Sequence, residues 1–203
     1  MAESQGGLKN IHHGRRQPRV RLLAPLKYMQ ISHPEKIWYD FFIPAGLAVA
    51  SLSFYFLIDD RPSLFGDGGI AKSLRDILAI AIPFLFGALA SVAMGLPGPY
   101  FDKRPLGAPL LLDGKALTMR QFVAYLLGYV TFLSLLLLGV CFFGDTFHQS
   151  IISLFARIHI PRAVLFYVGA VLIFTIGSFL SVSILWSLYF LTDVVNVSED
   201  DPK

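Results

Sequence analysis

The carboxylates that could do chemistry gather in one stretch. Asp59, Asp60, Asp67 and Asp76 stand together with Arg61, Lys72 and Arg75. Oxygen ligands at such density suggest a hard-cation site. The stretch lacks the regular ligand alternation of a calcium loop, however, so it reads as a solvated connection and no metal or cofactor is expected. Inside it, Phe65-Gly66-Asp67-Gly68-Gly69 matches no catalytic spacing. His148 and His159 are eleven apart, a poor spacing for two ligands on one helix, and His12-His13 belong to a basic arm. Cys141 is the single cysteine, lies in an apolar run and has no partner for an internal disulfide, so it reads as a packed or lipid-facing thiol. No H-E-x-x-H, Walker loop or nucleophile elbow occurs. The chain therefore reads as non-enzymatic.

The elements that must position these residues are apolar helices. Hydrophobic residues make up 55% of the 203-residue chain and charged residues 15%, well short of the roughly 25% charge of a soluble domain. Four runs approach the ~20 apolar residues that a spanning helix needs. They cover 41–58, 77–96, 122–143 and 163–191, and none contains Asp, Glu, Lys, Arg or His. Strand alternation is absent, and a helix satisfies its own backbone in lipid. The expected fold is an all-α integral membrane protein, a four-span helix bundle with an interfacial amphipathic helix before the last span. Segment 1–40 is a basic N-terminal arm, 41–192 the membrane domain and 193–203 an acidic tail. Thr118 and Gln121 read as a capping box opening span three, and Pro161 as a first-turn proline for span four. Pro44 and Pro83 are expected to bend spans one and two.

Orientation follows from the basic residues. Placing the N-terminus inside gives the cytoplasm twelve Lys and Arg against five on the far side. Trp38 and Tyr39 before span one, and Trp186 and Tyr189 near the end of span four, fit an aromatic belt at one interface. Both termini are thus expected to be cytoplasmic, in a multi-pass protein of the cell inner membrane. The first apolar run begins only near Phe41, and Ala2 stands where myristoylation needs glycine. The helices themselves are expected to be the anchors.

Three features carry the functional reading of the residues. Gly87, Ser91 and Gly95 repeat every four positions in span two, as Gly177 and Ser181 do in span four. Small residues at that spacing let helices approach closely, within one bundle or between copies in a homo-oligomer. The hydroxyls Thr175, Ser178, Ser181, Ser183 and Ser187 either line a wet path in an assembly or bond back to their own helix. Phe147, Ile151, Leu154, Phe155 and Ile158 recur at helical spacing and predict a short helix lying in the interface plane. On the cytoplasmic side, Arg15, Arg16, Arg19, Arg21, Lys103 and Arg104 form a basic surface for anionic lipid or a protein partner. No direct nucleic-acid-binding motif accompanies it.

Two stretches resemble a known group. They are Lys27-Tyr-Met-Gln-Ile-Ser-His-Pro-Glu-Lys-Ile-Trp-Tyr-Asp40 and Leu112-Asp-Gly-Lys-Ala-Leu-Thr-Met-Arg-Gln-Phe-Val-Ala-Tyr125. Both are similar to segments of small multi-span proteins of bacterial anti-phage defence. The nearest are the transmembrane effectors paired with retron reverse transcriptases; the membrane component of the Kiwa system is the alternative. The retron resemblance implies an antiviral toxin held silent by a reverse transcriptase–nucleic acid complex. Released from it, the effector would impair the inner membrane and give abortive infection. Two other readings stand beside it: a membrane sensor or scaffold recruiting a cytoplasmic defence partner, and a small-solute channel.

Overall fold

The computed structural model describes residues 21–31, 36–66, 68–95, 102, 110–112, 114–157 and 161–194. A 3-10 helix over Arg21–Gln30 comes first. A π-helical turn, Trp38–Phe42, then leads into α1, Ile43–Leu57. α2 is Ile70–Ala93, α3 is Met119–Arg157, and α4 is Arg162–Tyr189, ending in a second π turn over Phe190–Val194. Between α2 and α3, β1 (Leu111–Leu112) pairs antiparallel with β2 (Lys115–Ala116). Four helices are long and apolar enough to cross a membrane: Trp38–Leu57, Ile70–Ala93, Met119–Phe155 and Ala163–Thr192. The expected all-α, four-span architecture is present, with shifted boundaries. α2 starts at Ile70, so it takes in Lys72, Arg75 and Asp76. An apolar run stops at the first charge, but a helix does not, because long charged side chains can lie along it and reach outward.

Local chemistry explains several helix ends. Thr118 and Gln121 form the expected capping box: the Gln121 N–H donates to Thr118 Oγ1 at 3.3 Å, and the Thr118 N–H to Gln121 Oε1 at 3.3 Å. Pro44 has no N–H for the carbonyl of Asp40, and its ring crowds that carbonyl. The preceding turn widens, and the Ile43 N–H reaches the carbonyl of Trp38. Pro83 instead sits within an uninterrupted α2. Pro161 caps α4 from just outside, with extended backbone, one position before the expected first turn. Leu112 and Lys115 pair across a two-residue turn, where Gly114 has φ +74°. Asp-Gly is a strong hairpin signal in the sequence.

α3 is the hub of the bundle. Phe122, Leu126, Val130, Leu137 and Cys141 form its buried stripe. Half of its most apolar stretch is buried, against 17–22% for the other three spans. The helices pack in series: α2 on α3, α3 on α4, α4 on α1. α1 and α2 make no packed interface with each other. Phe54, Leu57, Phe84 and Leu185 are strongly exposed, which suits lipid as the solvent.

The 39 residues of α3 extend about 58 Å at ~1.5 Å per residue. The hydrocarbon layer is ~30 Å thick and the bilayer with headgroups ~40–45 Å. Even at a tilt of about 40° the helix covers roughly 45 Å along the membrane normal. The helix is therefore longer than the hydrocarbon layer, and the polar residues Asp145, His148, Gln149 and Ser153 gather in its last third. The expected interfacial helix is corrected in this respect. Residues 144–157 are helical, but they continue α3 without a break instead of forming a separate element. Gly144 alone does not stop a helix that can keep its hydrogen-bond ladder.

Candidate functional site

α1 and α3 begin, and α2 and α4 end, on one side of the bundle, the termini side. The turn after α1, the end of α3 and the start of α4 lie on the far side. Each side carries an ionic cluster that joins separate elements.

On the termini side, Lys36 and Asp40 pair at 2.8 Å, both side chains nearly buried. The Lys36 ammonium also donates to the carbonyl of Tyr28 at 2.6 Å and lies 4.2 Å from the centroid of the Tyr28 ring. The Tyr28 hydroxyl donates to Asp40 Oδ1 at 3.1 Å. Tyr28 is fully buried and stacks on Tyr129 at 5.0 Å, with Phe122 at 6.1 Å. Burial, then the negative charge of Asp40, raises the Tyr28 phenol well above its ordinary value of 10. The hydroxyl thus stays protonated and keeps donating to Asp40 at any physiological pH. Together these contacts dock the 3-10 helix onto α3. Of the rings expected to form an aromatic belt, Tyr39 stacks on Trp186 at 4.4 Å, and Trp186 on Tyr189 at 5.4 Å.

On the far side, Asp145 of α3 accepts from Arg75 Nη1 of α2 at 2.9 Å through Oδ2. Its Oδ1 accepts the Gly66 N–H at 3.0 Å. One carboxylate therefore ties α2 and the α1–α2 turn to α3. The turn is wound tightly around glycines, Gly66 at φ +94° and Gly68 at φ +81°, a conformation that costs other residues about 1–2 kcal/mol each. It drives Leu64 into the core and seats the Phe65 ring between α3 and α4. A Cβ at Gly144 would collide with that ring, and one at Gly169 would stand 2.9 Å from it. The Phe65–Gly69 motif is thus the turn chemistry of a wedge.

Between α1 and α2 the series packing leaves an open groove of about 800 Å³, floored by α3 and α4. Leu47, Ile77, Phe84, Ile173 and Ile184 line it, with Ser51, Ser134, Gly177, Ser178 and Ser181. Ser134 and Ser181 donate to carbonyls of their own helices, at 2.9 and 2.8 Å. Ser187 does the same at 2.8 Å. Of the two readings of the span-four hydroxyls, back-bonding is the one seen for Ser181 and Ser187.

The small-residue stripe divides. Gly177 and Ser181 line the groove, and nothing lies within 4 Å of a Cβ built on Gly177. Gly87 has the same open space around it on an exposed face of α2, while Ser91 is half-buried. Gly95 is a correction. It lies past the end of α2 with φ +80°, as the left-handed residue that stops the helix, and its Cβ would stand 2.8 Å from Arg120 Nη1. A hydropathy run carried through Gly95 because Leu96 follows it; backbone conformation ends the helix earlier.

Ile151 and Phe155 face α4 across a cavity, whereas Phe147 and Leu154 are exposed. The expected single apolar face is thus shared between α4 and the surroundings. Ile158, Arg15, Arg16, Arg19, Lys103 and Arg104 lie outside the described residues, as does the side chain of Arg21. Among the described residues no three His, Cys, Asp or Glu side chains converge on a metal position. Sequence reasoning missed Tyr28, Lys36, Asp40, Phe65, Arg75 and Asp145 as joining residues. Lys36 and Asp40 had a signal, the i,i+4 spacing of opposite charges. Arg75 and Asp145, seventy positions apart, had none.

No family model, curated protein or solved structure matches the chain. The class comes from fold and surface: four helices of membrane-spanning length and apolarity, in a multi-pass arrangement.

Proposed function

We propose that this chain is a non-enzymatic membrane effector of bacterial anti-phage defence. It impairs the inner membrane when released from a reverse transcriptase–nucleic acid complex, so that an infected cell stops growing. Both termini face the cytoplasm in this reading, supported by the twelve-to-five split of basic residues.

One observation carries the proposal. The described parts of the two stretches whose sequences resemble defence effectors, 27–40 and 112–125, meet in the fold. Tyr28 from the first packs on Phe122 from the second, and Ile31, Leu112, Leu117 and Met119 join the same buried cluster. They share one buried core on the termini side, the side on which a cytoplasmic nucleoprotein would hold the effector in this reading. The groove between α1 and α2 supports the bilayer as target, because its walls offer lipid, or a second copy, an apolar surface that the chain leaves open.

Expression alone and with the neighbouring genes tests this. A potentiometric dye should report loss of membrane potential, with growth arrest, when the chain is expressed alone. Co-expression of the silencing complex should restore both until phage infection. Phage protection with the potential intact throughout would overturn membrane impairment and support the scaffold reading.

A further inference from the structure

The far-side third of α3 and the start of α4 flank a second, half-open pocket of about 510 Å³. We infer that it binds the chain of a single-chain lipid whose head donates a hydrogen bond to His148. This inference is independent of the antiviral reading and concerns a different end of the molecule from the termini-side core.

The cavity is within the size range of small-molecule sites, roughly 300–1,000 Å³. Val140, Phe143, Ile152, Phe155, Leu165 and Leu172 are among its walls, and among the described residues His148 is the one polar side chain that lines it. The Phe65 ring closes one side, set against Gly144 and Gly169 where no other residue would leave it room. The clamp from Asp145 to Arg75 and the Gly66 N–H holds that ring in place. The site is therefore built from three separate segments.

Its position along α3 selects an amphiphile. The last third of α3 carries Asp145, His148, Gln149 and Ser153 beyond the charge-free run, which sets the pocket, from Val140 to Phe155, between an apolar and a polar stretch of the helix. A ligand with one chain and a small polar head matches both. His148 selects the head. Its Nδ1–H donates to the carbonyl of Asp145 at 3.1 Å, because a carbonyl can only accept. In the neutral ring Nε2 is then an acceptor. A hydroxyl head can donate to it, whereas an alkane or a quaternary ammonium cannot.

The test uses the full chain in phosphatidylcholine nanodiscs at mildly alkaline pH, labelled with a diazirine-bearing decanol. Crosslinked residues are mapped by mass spectrometry, with decanol, decane and decyltrimethylammonium as competitors. Labelling should concentrate on 140–155 and 164–172, and decanol should compete about fivefold better than the other two, the size of one neutral hydrogen bond. His148→Leu should retain labelling but abolish the preference among competitors. Ile151→Trp, which fills the cavity from a second position, should remove the labelling. Labelling spread evenly over the lipid-facing surface, or equal competition by all three compounds in the wild type, would overturn the proposal.

Discussion

The two ionic clusters use the same chemistry at opposite ends of the bundle, but they differ in burial and reach. On the termini side, Lys36, Asp40 and Tyr28 lie within twelve positions of one another, and Tyr28 is wholly buried. On the far side, Asp145 joins groups 70 and 79 positions away, and Arg75 keeps 28% of its side-chain surface exposed. The near cluster therefore secures a local segment to the hub helix in a low-dielectric setting. The far cluster ties three distant segments together at a partly exposed site, where solvent can compete. The first is built for permanence, the second for positioning a wedge.

Breaking the near cluster should have the largest effect. Asp40→Leu leaves the Lys36 ammonium buried without its counter-ion, a loss of about 3–5 kcal/mol. Segment 21–31 should detach and become protease-sensitive in nanodiscs. Adding Lys36→Met should recover much of the loss, since the uncompensated charge is gone. Equal damage in the single and double variants would mean that the charge is not the cause.

The far cluster should yield less. Asp145→Ala removes two hydrogen bonds from one carboxylate at a partly wet site, about 2 kcal/mol. Amide exchange should accelerate across 63–71 while the middle of α3 stays protected. Combining it with Arg75→Ala should add little, because both act through one interaction. Full additivity would show that the two residues work separately.

The smallest effects separate two glycines that look alike in the sequence. Gly95→Ala forces a left-handed residue to carry a Cβ, costing about 1–2 kcal/mol, and crowds Arg120. Thermal unfolding should show the loss. Gly87→Leu meets open space and should leave the stability of the single chain within ~0.5 kcal/mol. If Gly87→Leu lowers stability as much as Gly95→Ala, or changes a crosslinked oligomer, Gly87 packs against a second copy.

Much of this molecule was readable in its composition and spacing. Four apolar runs announced four helices because lipid leaves the backbone no alternative. Thr118 and Gln121 announced the start of α3 because a capping box satisfies backbone groups within one turn. Tyr39, Trp186 and Tyr189, read as one aromatic layer, do stack together at one end of the bundle. All of these are local or solvent-driven effects, and each depends on a few neighbouring residues. Tertiary structure alone decided the rest. It set the series order of the helices, the groove between α1 and α2, the meeting of Asp145 with Arg75 and Gly66, and the seat of Phe65 between Gly144 and Gly169. Periodicity in one helix says which face is apolar, but not which other helix will cover it. In lipid that choice is especially free, because an uncovered apolar face costs little. Close fits such as the Phe65 wedge, and single charged contacts such as the one at Asp145, then select the partner.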